Sequence, residues 1–156
     1  MSPVDPIERL LAIEDIKQLK ARYFRSMDNK RWTEMAQVFT HDAVMDADGY
    51  VTEGRQAIIA FLKNVLKDVR TVHHGHMPEI EVKSAISARG IWAMFDYVEF
   101  PSDGAPQGLK GYGHYEEEYI VEDGAWRIKR LKLTRLRIDP LEGGLPEAHP
   151  DATRRP

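Results

Sequence analysis

Three of the chain's six histidines fall within four positions: His73, His74 and His76, in the stretch TVHHGHMPEI. A neutral imidazole titrates near working pH, so it can take a proton from carbon or oxygen, and it can also bind a metal ion. On a strand, His74 and His76 share a face. With Glu81 they complete an H-x-H-x(4)-E spacing that could converge on one cation. The chain opens with helical segments and offers no convincing second ligand motif, so the expected site holds no metal. A general base needs something else: a carboxylate on its second ring nitrogen, to fix the tautomer and stabilise the imidazolium. At least one histidine of the three, His74 or His76, is expected to be exposed or structural. Strand parity does not choose among them. Val72, His74, His76, Ile80 and Val82 share one parity, and a bulge at Gly75 or Pro78 would break the register.

The carboxylate that fits is Asp28, in YFRSMDNKRW. It borders the apolar stripe of a predicted helix, where an unpaired charge would cost several kcal/mol, and a histidine from a sheet would supply the partner. The competing reading is ordinary Asp-Asn turn chemistry at a helix end. Asp46, Asp48 and Asp96 are further carboxylates near predicted strands. Asp96, between Phe95 and Tyr97, would be a general base in its own right if it pointed inward. Residues 127 to 137 carry Arg127, Lys129, Arg130, Lys132, Arg135 and Arg137. Most of these are expected to pair across strands with Glu116, Glu117 and Glu118. One cation turned inward would stabilise developing negative charge, and spacing does not say which.

The elements that must position these groups follow from periodicity. DPIERLLAIEDIKQLKARYFRSMDNKRW predicts a helix, with Ile7, Leu10, Leu11, Ile13, Ile16, Leu19, Tyr23 and Met27 three or four apart. Asp5 before Pro6 is a good cap and first position. A short helix follows in RWTEMAQVFT, then a strand pair in HDAVMDADGYVTEG, then a helix in EGRQAIIAFLKNVLKDV. After residue 70 the pattern turns to alternation and β-formers, with turns at SAISARG, PSDGAPQG and EDG. Helices followed by a long antiparallel sheet predict an α+β domain over residues 1–140, and 141–156 form a Pro/Gly-rich tail.

The whole chain bounds the function. It has 156 residues, a net charge of -3 and no cysteine. One core fits. A nucleic-acid partner would need a basic excess, and thiolate chemistry and disulfides are excluded. No apolar run approaches the roughly 18 residues of a membrane span, and the acidic, proline-bearing start is unlike a signal peptide. The expected compartment is a bacterial-type cytoplasm.

The order and spacing of IERLLAIEDIKQLKARYFRSMDNKRWTEMAQVFTHDAVMD, EGRQAIIAFL and EEEYIVEDGAWRIKRLKL resemble the SnoaL-like branch of the nuclear transport factor 2-like superfamily, over residues 7 to about 139. Within it the chain looks closest to the scytalone dehydratases and hexachlorocyclohexane dehydrochlorinases. The resemblance implies a cone-shaped α+β barrel, N-terminal helices on a strongly curved antiparallel sheet, and a homo-oligomer, dimer or trimer. It also implies a lyase, a dehydratase in class, that works without metal, flavin or nicotinamide on a small apolar or aromatic cyclic compound. Asp28 matches those enzymes' aspartate, and His73, in VHHG, matches their histidine base. His114 is the match for a second histidine that helps the leaving group, with Tyr112 of the same parity as the alternative. Met27 stands where the scytalone enzymes carry a tyrosine, which leaves scytalone itself in doubt as substrate. Tyr23, Phe24, Met27, Trp32, Trp92, Phe95 and Tyr112 are the expected substrate-facing residues. The other readings on the same fold are an isomerase or polyketide-type cyclase, and a non-catalytic small-molecule-binding module.

Overall fold

A computed structural model describes residues 3–147. Helix α1 (Pro6–Asp28) starts at Asp5, whose side chain accepts from the amides of Ile7 and Glu8, with Pro6 as its first residue. Its packed stripe is Ala12, Ile16, Leu19, Tyr23 and Met27. Ile7, Leu10 and Leu11, expected in that stripe, are 61–68% exposed, because the buried face lies more than a third of a turn away from theirs. Helix α2 (Trp32–Ala36) and helix α3 (Arg55–Val65) add Met35, Ile58 and Leu62 to the same core.

Six strands form one sheet: β1 (Phe39–Ala47), β2 (Tyr50–Glu53), β3 (Arg70–Ser84), β4 (Ser87–Phe100), β5 (Gln107–Glu122) and β6 (Ala125–Pro140). Their order is β2-β1-β6-β5-β4-β3. The sheet curls around the helices and does not close, so β2 and β3 are its edges. It is also mixed, since β1 runs parallel to β6. The expected arrangement of helices on a strongly curved antiparallel sheet is present, with this one parallel contact, because everything between β1 and β6 acts as one long crossover that brings the chain back in the same direction. The Asp-Gly pair between β5 and β6 makes the predicted tight hairpin. Asp123 (φ 51) and Gly124 (φ 76) both lie in the left-handed region, and Glu122 pairs with Ala125.

Bulges in β3 and β6 decide what faces the helices. In β3, three steps from His76 to Glu79 oppose two steps from Ala93 to Ile91, with Met77 at φ 42. The parity therefore changes along the strand. Thr71, His73 and Gly75 face inward before the bulge, and Ile80 and Val82 after it. In β6, Arg135 and Arg137 oppose the adjacent Gly113 and Tyr112, which leaves Leu136 unmatched and 74% exposed.

Glu116 opposes Lys132 and Glu118 opposes Arg130, the expected cross-strand charge pairs. Glu117 does the opposite and turns inward. It pairs with Lys20, which sits inside α1's packed stripe with no exposed surface. The ammonium also lies 3.8 Å from the ring centre of Tyr23 and 3.7 Å from that of Tyr115. Glu117 accepts from Tyr119 (2.5 Å), which accepts from the Trp92 indole (2.8 Å). Burial lowers the Lys20 amine to about 8, against the raising effect of Glu117. The tail residues 141–147 turn back along β5, where the Gly143 amide bonds the Pro106 carbonyl at 2.9 Å. The rest of the expected tail, 148–156, lies outside the described residues. No helix among the described residues is long and apolar enough to cross a membrane.

Removing one partner strands the other's charge in the core. Lys20→Met or Glu117→Leu is expected to cost about 3–5 kcal/mol in urea unfolding. The double variant should recover most of that loss, and strictly additive losses would show that the pair is not coupled.

Candidate active site

Helix α1 ends at Asp28 and points its carboxylate at the inward half of β3. Three groups of that strand converge on it. The Thr71 hydroxyl donates to Oδ1 at 2.9 Å, the His73 amide donates to Oδ2 at 2.9 Å, and His73 Nδ1 lies 2.7 Å from Oδ1. Burial pushes the Asp28 carboxyl up, but the His73 ring and amide and the Thr71 hydroxyl outweigh it and hold the group below its ordinary value. An ionised carboxylate can only accept, so the Nδ1 position carries the proton and the neutral ring has its lone pair on Nε2.

That second nitrogen faces a built environment. His73 Nε2 is 4.0 Å from Asp96 Oδ2. Asp96, on β4, is 1% exposed and is clamped by Arg135 of β6 through two parallel bonds of 2.6 Å. Arg135 is the inward cation that the sequence left unassigned. β5 runs between the two partners, and it allows their contact because Gly111 has no side chain. A Cβ there would stand 1.7 Å from the Arg135 guanidinium and 2.1 Å from Asp96 Oδ1. Asp96 does point inward, as the rival base reading required. The fork on both its oxygens commits it to an ion pair, and His73 is left as the better-placed base.

The structure divides the other candidates between two faces. Tyr23 and Met27 are buried beside the site, and Tyr23 stacks edge-on with Phe24 (5.4 Å) and Tyr115 (6.0 Å). Burial above all, then the charge of Glu117, raises the Tyr23 phenol, and Asp96 and Asp28 add to it. Phe24 is half-buried and fits only because residue 75 is glycine, where a Cβ would lie 2.8 Å from its ring. Trp92 is buried on the inner face, and Trp32 packs partly against the core. His114, Tyr112 and Phe95 are corrections. All three belong to the outward parity of β5 and β4, on the far side of the sheet from Asp28 and His73. Phe95 there touches His74 (5.9 Å) and Tyr112 (5.5 Å). His74 and His76, 5.7 Å apart, share that outer face. A groove of about 630 Å³ also lies there, lined by the Glu81–Arg89 pair, Glu116, Glu118, Arg130 and Lys132. It is separated from His73 by the sheet.

Sequence reasoning missed Thr71 and Gly111 as parts of the site, and did not choose Arg135 from among its six candidate cations. One signal was available for the last two. In GYGHYEEEY, the inward parity carries Gly111 and Gly113 before Tyr115, and small residues facing a core imply a large neighbour filling the space.

Comparison with known proteins agrees with this architecture. The SnoaL-like domain family matches residues 8–132. A hexachlorocyclohexane dehydrochlorinase of type 2 superposes with a TM-score of 0.80 at 22% identity, covering 93% of this chain and 100% of its own. A provisional scytalone dehydratase from Novosphingobium aromaticivorans gives 0.79 at 21% identity, covering 86% and 91%. A protein of unknown function from Mycobacterium tuberculosis gives 0.74 at 28% identity, covering 87% and 79%.

Two stability tests follow from the geometry. Gly111→Ala should lower stability by about 1–3 kcal/mol, because the new methyl must push the Asp96–Arg135 fork apart. The second concerns pH. Asp28 titrates lower folded than unfolded, so its contribution is present above the unfolded carboxyl range and fades as pH falls through the folded one. The stability gap between the native chain and Asp28→Asn, measured by urea titration, should therefore be larger at neutral pH than in acid. A gap that does not change with pH would contradict the hydrogen-bonded carboxylate.

Proposed function

Because the chain belongs to the SnoaL-like domain family, we propose that its Asp28–His73 pair is the base of a cofactor-independent lyase, a dehydratase acting on a small apolar cyclic compound. The observation that carries this reading is the 2.7 Å bond from His73 Nδ1 to Asp28, with Nε2 turned toward the Asp96–Arg135 pair. Two of the structural neighbours are named for eliminations from ring compounds, one losing water and the other hydrogen chloride. At about 20% identity they support the fold more than the reaction, so the residues of this chain must carry the chemistry.

The step is an elimination. Nε2 takes a proton from carbon, and the C–H electrons become the new double bond as the neighbouring C–O bond breaks. The imidazolium, held by Asp28, then gives its proton to the departing hydroxide, which leaves as water and returns His73 to its neutral form. Beside this point Arg135 offsets the charge of Asp96, so that carboxylate does not oppose the negative charge that builds on the substrate. With His114 and Tyr112 on the far face, the imidazolium itself is the group that assists departure. Phe24, Tyr23, Met27 and Trp92 give the inner face its apolar and aromatic character, which suits a ring.

The test is a panel of cyclic alcohols with a ring carbonyl or aromatic ring, read by mass spectrometry for loss of one water. His73→Ala should lower turnover by about 10²–10⁴-fold, and Asp28→Asn by at least about tenfold. Turnover with unchanged mass would assign an isomerase. Binding without turnover, unaffected by either substitution, would assign a binding module.

A further inference from the structure

The turn behind Asp28 is built at a cost. Helix α1 closes with the Lys30 amide on the Met27 carbonyl (3.2 Å) and the Arg31 amide on the Ser26 carbonyl (2.8 Å). This pattern places the residue after the cap in the left-handed region, where glycine is the usual occupant. Here it is Lys30, at φ 57. A side chain with a Cβ is strained in that conformation. Lys30 is half-buried, and its ammonium donates to Thr71 Oγ1 at 2.9 Å.

The direction of that bond matters. A lysine ammonium has donors and no acceptor, and a threonine hydroxyl has one proton. With its oxygen accepting from Lys30, Thr71 sends that proton to Asp28 Oδ1, 2.9 Å away. Asp28 needs the help. It sits at the C-terminal, negative end of α1, which disfavours a carboxylate. The charged and titratable groups around it are Tyr23 on α1, His73 on β3, Asp96 on β4, Arg135 on β6 and Lys30 behind it. Asp96 already holds Arg135 through both oxygens. While His73 is neutral it brings no charge.

We propose that Lys30 is a positioning residue: acting through Thr71, it keeps Asp28 ionised and acceptor-only while His73 is neutral, so that Nδ1 retains its proton and Nε2 its lone pair. This rests on the Asp28–His73 pair being the base. The pairing charge passes between two cations over the cycle, Lys30 before proton transfer and imidazolium after it.

The experiment needs no substrate. On the full chain, the Asp28 carboxyl carbon is titrated by ¹³C NMR and the His73 tautomer is read from ¹⁵N shifts. Lys30→Gly is the decisive variant, because glycine relieves the left-handed backbone and should leave the fold at least as stable. Lys30→Gly and Lys30→Met should raise the Asp28 midpoint by about half a pH unit and lower the share of Nδ1–H. Thr71→Val should do the same, and Lys30→Arg should retain native behaviour. An Asp28 titration and a tautomer unchanged in a stable Lys30→Gly protein would overturn the proposal while leaving the dyad standing. A tautomer unchanged in Asp28→Asn would instead sink the dyad, and the proposal with it.

Discussion

A carboxylate inside an apolar core must find a partner, and this fold arranges itself around three such debts. Lys20 answers Glu117, Arg135 answers Asp96, and His73 answers Asp28. No pair lies within one element. The first ties α1 to β5, the second spans from β6 to β4 across β5, and the third ties the end of α1 to β3. Buried pairs add little net stability over an apolar packing, but each punishes any arrangement that separates its members. In this domain they fix where the helix lies on the sheet and how the strands are offset, while the Ile, Leu, Val and Met side chains fill the remaining volume.

The same arrangement gives one imidazole two unlike surroundings. One ring nitrogen meets a carboxylate that accepts its proton bond. The other meets a carboxylate whose oxygens are taken by guanidinium. Arg135 meets both oxygens of Asp96, so that carboxylate's charge is answered within its own pair. The ring nitrogen beside it therefore faces an ion pair and not a free carboxylate.

Much of this was legible in the sequence, and the gaps have physical causes. The first and third helices, the strand pair and the Asp-Gly hairpin follow from local periodicity and turn chemistry, which act over a few residues. Asp28 stood out as an acid bordering a greasy stripe, and His73 as one of three candidates. Choosing among the three needed the bulge at Met77, a tertiary event that no alternation pattern marks. Nothing in the helix's periodicity singles out Lys20, because a buried lysine is visible only once Glu117 is seen turning inward. His114 was misplaced because its parity alternates with that of Gly113 and Tyr115, and the inward face of β5 belongs to those two. The parallel β1–β6 contact is non-local and leaves no trace in either strand.

The extra residue in β3 has a consequence for how this protein can change over generations. His73 and His74 are neighbours, so the strand carries two imidazoles one position out of phase. Loss of a single codon at the bulge would restore regular pleating and leave both halves of the strand on their present faces, because two steps would then oppose two. Loss of a codon between His73 and the bulge, with the bulge kept, would instead turn that half over, and His73 would leave the inner face. The identity of the residue that meets Asp28 is therefore a property of the reading of insertions and deletions, as much as of the histidine itself.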